Sequence, residues 1–355
     1  MAKNKHSKKR KKRGGLIALT VVLALLAVLL GGVFFVFQNY YGLSNYVSDS
    51  AARATAAAAE VSSDVLAEAD ATGLTESEAT GLQGLFQDLK NFTVNTTGDN
   101  YNLLLIGIDR RDKSWNGNSD SMILVSINKS SKTIHMMSFM RDLYAYIEGH
   151  GVRKLNAACA YGGPTLLVDT IESNYKVDID NYACVDFMDL ANIIDILGGV
   201  DLEVSAEEAS LANGYIDDMA ASNGIDSTGH HFGYDTGTYH ADGLMAVAYS
   251  RIRYVGNSDY ERTERQRKVL TGLMSSVKSK SVTELNDLIR DVLPYVTHNI
   301  DTGTMLSLTT QAPTYLTYSL EQSRVPFDGM YTTQGEILVP TEPDTINQIQ
   351  EILNR

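Results

Sequence analysis

The chain has 355 residues, of which 44% are hydrophobic and 21% charged, enough for one large or two small domains. Its net charge of −13 is unevenly divided: residues 1–13 hold eight Lys or Arg and no acid, which leaves 22 basic against 43 acidic residues over the rest. A body that acidic repels nucleic acid, whose binding depends on cations against phosphate, so a nucleic-acid partner is excluded for it.

Residues 1–13 read as a basic tail. The run Gly14–Phe37 carries no charge. As a helix at about 1.5 Å per residue it would reach about 36 Å, against a hydrocarbon core of roughly 30 Å. It predicts a transmembrane anchor at 14–38. The Lys/Arg block before it places the N-terminus in the cytoplasm and everything after Gln38 outside the membrane. The run is too long for the h-region of a cleaved signal peptide. Residues 39–97 read as an extracytoplasmic stalk. Tyr40 and Tyr41 suit the membrane interface, and Ala51–Thr80 has too few large apolar residues to bury much area, so it is either disordered or a lone helix.

The folded domain is expected over 98–355. Leu103–Ile108, Met122–Ile127 and Thr133–Phe139 read as three buried strands. In an antiparallel meander, Asp109 after the first, Asp120 before the second and Arg141 after the third meet at one sheet edge. Pro164 suits the first turn of a helix reaching Tyr175. A strand at Tyr182–Phe187, a helix at Asp189–Leu197 stopped by Gly198 and Gly199, and a strand at Val200–Val204 follow. Residues 205–240 are polar, Gly-rich and without clear period, which predicts a long surface insertion. Asp242 is a candidate N-cap for a short helix to Tyr249. A longer helix covers Arg262–Val277. A late strand at Glu336–Val339 and a closing helix at Pro343–Leu353 complete an α/β domain.

Arg251, Arg253, Arg262, Arg265, Arg267 and Lys268 stand out against the acidic background. Clustered guanidinium groups suit a phosphate or pyrophosphate, because each offers forked donors and never loses its charge. At 100° per residue, Gln266, Leu270, Leu273 and Val277 lie within about 80° of Arg262, so Arg262 and Gln266 continue an inward stripe. An inward Arg needs an anion, either a structural carboxylate or a bound phosphate. Arg251 and Arg253, two residues apart in extended backbone, project to one side and can converge with Arg262. Arg265, Arg267 and Lys268 are expected at the surface, the first two paired with Glu261 or Glu264. Asp109 and Asp120 at one sheet edge suit Mg²⁺, which takes one or two carboxylates plus phosphate oxygens. Asp259 sits between the arginines, either to orient or deprotonate an attacking hydroxyl or to form a salt bridge. Cys159 and Cys184, the two cysteines, either pair as a disulfide or stay as buried thiols. The seven His show no metal spacing, and no Walker loop, serine elbow or Cys-His pair is present.

These segments resemble the LytR-CpsA-Psr proteins, membrane-anchored enzymes of bacterial envelope assembly. The resemblance rests on NLLLIGIDRR from Asn102, SDSMILVSIN from Ser119, SFMRD from Ser138 and KLNAACAYGGP from Lys154. It continues through LGGVDLEV from Leu197, AVAYSRIRY from Ala246 and SDYERTERQRKVL from Ser258, so its core spans 100–275. It implies an α/β/α domain with a central mixed sheet and a hydrophobic pocket for a polyprenyl tail. It implies transfer of a glycopolymer (teichoic acid or capsule type) from a polyprenyl-diphosphate carrier to a muramic acid hydroxyl of peptidoglycan. The setting is the cell membrane of a Gram-positive-type envelope. By the family pattern, Asp109 and Asp120 hold Mg²⁺, with Mn²⁺ as the alternative. Arg141, Arg251, Arg253, Arg262 and Gln266 bind the diphosphate, and Asp259 assists catalysis together with Arg262. The chain departs from the pattern at Asn118, where an Arg is common, at Met140, where Pro is usual, and at Tyr260-Glu261. The same residues are compatible with hydrolysis of the lipid diphosphate, or with a sensor that binds it without turnover.

Overall fold

The structure, a computed structural model, describes residues 43, 45–59, 61–94, 100–110, 117–253, 255, 259–278, 280 and 282–355. The predicted tail and anchor at 1–38 lie outside them. Among the described residues no helix is long and apolar enough to cross a membrane.

In chain order the elements are β1 (Asn45–Tyr46), α1 (Asp49–Ala58), α2 (Ser63–Asp70), α3 (Glu76–Lys90), β2 (Asn100–Asp109), β3 (Asn118–Asn128) and β4 (Thr133–Phe139). Next come β5 (Tyr144–Ile147), β6 (Gly151–Lys154), α4 (Ala157–Tyr175), β7 (Asn181–Asp186), α5 (Phe187–Leu197), β8 (Val200–Val204), α6 (Ala206–Asn223), β9 (Gly237–Ala241) and α7 (Gly243–Arg251). The rest are α8 (Asp259–Lys278), α9 (Val282–Val292), β10 (Thr297–His298), α10 (Thr302–Tyr315), β11 (Ser319–Val325), β12 (Tyr331–Gln334), β13 (Ile337–Pro340) and α11 (Asp344–Leu353).

A seven-stranded mixed sheet runs β1-β10-β7-β2-β3-β4-β11. The expected meander is present: β2 to β3 and β3 to β4 are antiparallel, while β7 and β11 join in parallel on either side. Alternation along β2 divides its side chains between two layers. Leu104, Ile106 and Ile108 pack with Met122, Leu124, Leu167 and Ile171 in the core under α4. Leu105, Gly107 and Asp109 face the opposite side, which α5 and α8 cover. Pro164 does open a helical segment, but α4 begins one kink earlier, at Ala157. Gly162 and Gly163 form the kink, with Gly163 at φ +66°, a backbone angle that glycine adopts without strain.

Three expectations are corrected. The stalk at 39–97 contains three helices that pack on the domain. Arg53 of α1 makes a two-pronged ion pair with Asp169 at 2.6 and 2.8 Å, Ala69 of α2 enters the main core, and Phe86 of α3 stacks on Tyr146 at 4.2 Å. The region 205–240 is not a featureless surface insertion. Ser205 and Glu208 form a capping box that starts the 18-residue α6, whose Ala209, Ala212 and Ile216 are buried. Arg251 is not in extended backbone; it is the last residue of α7, which Asp242 caps as expected.

At Gly243 the backbone of α7 lies directly against that of α5 at Ala191. A Cβ there would lie 2.0 Å from the Ala191 carbonyl oxygen. Gly243→Ala is therefore expected to cost about 1–3 kcal/mol by forcing the two helices apart, read as an earlier unfolding midpoint in denaturant.

Candidate active site at the end of the sheet

The two carboxylates owe their common position to an irregularity in the ladder. Gly107 pairs with Ser121, but Ile108 pairs with Ser119, so Asp120 is the extra residue of a β-bulge. In a regular ladder Asp120 would point away from Ser121, towards α4. The bulge turns it onto the cavity that Asp109 and Ser121 also line. Gly117 lets the chain pass there, since a Cβ would sit 2.3 Å from the Asp109 carbonyl oxygen.

Arginines from three other segments of the chain surround Asp120. Arg141, just after β4, places Nη1 3.1 Å from Asp120 Oδ1. Arg253 places Nη2 at 3.9 Å. Arg262, in the first turn of α8, is 2% exposed and lines the same cavity. Burial alone would raise the Asp120 carboxyl, but the charges of Arg262, Arg141 and Arg253 outweigh it and hold the group below its ordinary value. Gln266, one turn on, donates from Nε2 to the Asp120 carbonyl oxygen at 3.2 Å. Arg251 holds its guanidinium 4.5 Å from the ring centre of Phe187 and 5.6 Å from that of Tyr215. Asp259 is the first residue of α8; its side chain lies outside the described part. The other residues predicted for the diphosphate and the metal thus line one cavity.

From that polar end the cavity, about 600 Å³ in volume, runs as an apolar chamber between the sheet and α5 and α8. Leu105 and Ile123 form one wall; Leu190, Ile193, Leu270, Leu273 and Val277 form the other. The stripe predicted on α8 is therefore real, but it lines a chamber rather than closing a solid core.

Arg265 and Arg267 correct the surface expectation, while Lys268 meets it as an exposed partner of Glu264 at 2.9 Å. Arg265 is 2% exposed. It donates to Glu208 of α6 at 2.8 Å, Glu261 at 2.9 Å, and the carbonyls of Ile252 and Val255 at 3.2 and 3.3 Å. Those carbonyls flank Arg253, so Arg265 fixes the segment that delivers Arg253 to the mouth. Arg267 donates to Ser138 at 2.8 Å and Gln322 at 3.1 Å, tying α8 to β4 and β11. A single inward stripe does not reveal either residue, because α8 is covered on several sides. The capping box Ser205-x-x-Glu208 was the available signal for the partner of Arg265.

Cys159 and Cys184 are buried and unbonded in the core under the sheet. Burial pushes the Cys184 thiol up to about 12 and raises that of Cys159 as well, which keeps both protonated and unreactive. Among the described residues no group of three or more His, Cys, Asp or Glu is arranged to hold a metal. Asp109 and Asp120 nevertheless supply hard carboxylate oxygens at one cavity end. That donor chemistry fits a hydrated Mg²⁺ completed by phosphate oxygens.

An α/β domain that joins a deep apolar chamber to an arginine-lined, carboxylate-bearing mouth is built for an amphiphile with an anionic head. The LytR_cpsA_psr family model matches residues 64–355, and the chain belongs to that family. The matched range includes most of α2 and all of α3, in agreement with their packing on the domain. The chain is 31% identical over 197 residues to the polyisoprenyl-teichoic acid–peptidoglycan teichoic acid transferase TagU of Enterococcus faecalis. That match covers 54% of this chain and 59% of the relative. A solved structure titled TagT bound to LI-WTA is similar in fold, with a TM-score of 0.55 at 24% identity over 75% of this chain and 94% of that one. Another, the family protein YwtF (TagT) with bound octaprenyl pyrophosphate lipid, has a TM-score of 0.50 at 22% identity, covering 75% and 93%.

Proposed function

We propose that this protein is a membrane-anchored transferase that moves a glycopolymer phosphate from a polyprenyl-diphosphate carrier to a peptidoglycan hydroxyl. The observation that carries the reading is the union of the apolar chamber with Arg141, Arg251, Arg253 and Arg262 in one cavity. A free phosphate has no use for the chamber, and a neutral lipid has none for the arginines. The names of the similar proteins, a teichoic acid transferase and a structure holding octaprenyl pyrophosphate, support the same class of donor.

In this reading the polyprenyl chain occupies the chamber and the diphosphate sits among the four arginines, which share its charge as the bridging bond breaks. Gln266 orients one phosphate oxygen. Asp109 and Asp120 would hold Mg²⁺, or Mn²⁺, which when bound neutralises charge on the departing phosphate. Asp259, at the start of α8, is the acid that the resemblance proposes as an assistant. The anchor at 14–38 keeps the domain at the outer face of the membrane, where its lipid donor and the peptidoglycan acceptor both lie. The reading is tested with purified full-length protein, a polyprenyl-diphosphate-linked glycan, Mg²⁺ and peptidoglycan. Glycan phosphate should appear on the acceptor. Phosphate release that ignores the acceptor would make the protein a hydrolase, and donor binding without turnover would make it a sensor.

The chamber gives a second expectation. Leu270→Trp narrows it from α8, so the KM for a long polyprenyl donor should rise about tenfold, the equivalent of about 1.4 kcal/mol of lost binding. A donor with a short prenyl chain should be unaffected. Equal loss for both chain lengths would show that the chamber does not hold the tail.

A further inference from the structure

We propose that Glu68 is the general base of the transfer, a role that rests on the reading above. Glu68 belongs to α2, outside the sheet and outside every motif that carries the family resemblance. It nevertheless lines the arginine end of the cavity with Asp120 and Arg141. Its Oε1 is 3.6 Å from Arg141 Nη1, the same nitrogen that donates to Asp120 Oδ1 at 3.1 Å.

The position is built, not incidental. The next residue, Ala69, is buried in the main core. Asp70 accepts hydrogen bonds from Tyr161 Oη at 2.5 Å and Arg153 Nε at 3.0 Å. These contacts pin the C-terminal turn of α2 over the mouth, with the Glu68 carboxylate directed at Arg141.

The other carboxylates of the cavity have other tasks. Asp120 is surrounded by three arginines. Asp186 caps α5 through the Asp189 amide at 2.9 Å and lies 3.6 Å from Arg110. Asp109 and Asp120 are the two carboxylates that would hold the cation. The Glu68 side chain is 57% exposed, whereas that of Asp120 is 17% exposed. An acceptor glycan is too large for the chamber and must arrive from solvent, on the Glu68 side. A phosphate seated on Arg141 shares a guanidinium with Glu68. A hydroxyl attacking that phosphate from solvent meets Glu68 as the exposed carboxylate beside it, and proton abstraction then requires the two oxygens to close to roughly 2.6–3.2 Å.

In the transfer step, the acceptor oxygen bonds to the phosphorus nearer the glycan, and the bond from that phosphorus to the bridging oxygen breaks. Polyprenyl phosphate leaves with the electron pair, and the hydroxyl proton passes to a Glu68 oxygen. The apolar chamber holds the leaving group, and the nucleophile enters from the opposite, wet end.

The test compares full-length wild type, Glu68→Gln, Glu68→Asp and Asp259→Asn, with a polyprenyl-diphosphate glycan as donor and a peptidoglycan fragment as acceptor. Glu68→Gln should lower kcat by about 10²–10⁴-fold. Its donor Kd should stay within about threefold of wild type and its unfolding midpoint should not move. Glu68→Asp should recover part of the rate. A Glu68→Gln enzyme with wild-type kcat overturns the proposal. So does tighter donor binding with kcat intact, which would make Glu68 a mere screen for Arg141. Loss of kcat in Asp259→Asn alone would send the proton to Asp259 instead. If wild type itself transfers nothing, the transferase reading fails and this role fails with it; if wild type transfers and Glu68→Gln matches it, only the role of Glu68 fails.

Discussion

Arg262→Met is expected to lower kcat/KM for transfer by about 10²–10³-fold, the usual effect of removing one preorganised donor from a site of developing charge. Arg262 is almost fully buried and lines the mouth opposite Asp120. Water cannot replace its forked donors there, and a Lys cannot reproduce their plane, so Arg262→Lys should recover little of the loss. The fold should survive the change, because Arg141 and Arg253 still face the Asp120 carboxylate. Steady-state kinetics beside a thermal unfolding curve check both halves of the statement. A Met variant with unchanged kcat/KM would remove Arg262 from the site.

Arg265→Met should act first on stability, with a loss of about 3–5 kcal/mol, because it leaves the partly buried Glu208 carboxylate without its cation. It also releases the Ile252 and Val255 carbonyls, so Arg253 should lose its fixed approach and transfer should weaken in the protein that remains folded. Glu208→Gln separates the two effects. An amide can still accept from the Ser205 amide at the cap, so only the ion pair is lost. The pH dependence has a definite sign. Burial would raise the Glu208 carboxyl, but the Ser205 amide and Arg265 hold it below its ordinary value. Its contribution is therefore present above the unfolded value of about 4.3 and is lost as pH falls through the lower folded one. Glu208→Gln should show a smaller loss of stability between pH 5 and pH 3, as order-of-magnitude limits of that window, than wild type does. Equal acid sensitivity in the two proteins would contradict the pairing.

The central strands were legible because a strand buried on both faces leaves a continuous apolar run, and Thr133–Phe139 was read with the bounds it has in the structure. The meeting of Asp109, Asp120 and Arg141 followed from strand order alone. The bulge that aims Asp120 did not, since an extra residue leaves no mark in the hydrophobic pattern. Helical phase picked out Arg262 and Gln266 correctly as inward residues. It misplaced Arg265 and Arg267 because it assumes one buried face, whereas α8 meets the chamber, the segment near Ile252 and the strands β4 and β11. The helices of the supposed stalk hid behind their composition. Ala52, Ala56 and Ala69 pack through methyl groups that register weakly as apolar. Leu82, Phe86 and Leu89 did carry a helical period, just beyond the small-residue stretch. Glu68 had no sequence signal at all; only the docking of α2 brings it to Arg141.

The measurement that bears most directly on the account is a structure of the full-length protein with a polyprenyl diphosphate bound. The diphosphate oxygens should lie within hydrogen-bond distance of Arg141, Arg253 and Arg262, with the prenyl chain between Leu105 and Ile123 on one side and Leu270 and Leu273 on the other. A diphosphate bound away from these arginines, or a prenyl chain lying outside the chamber, would contradict it.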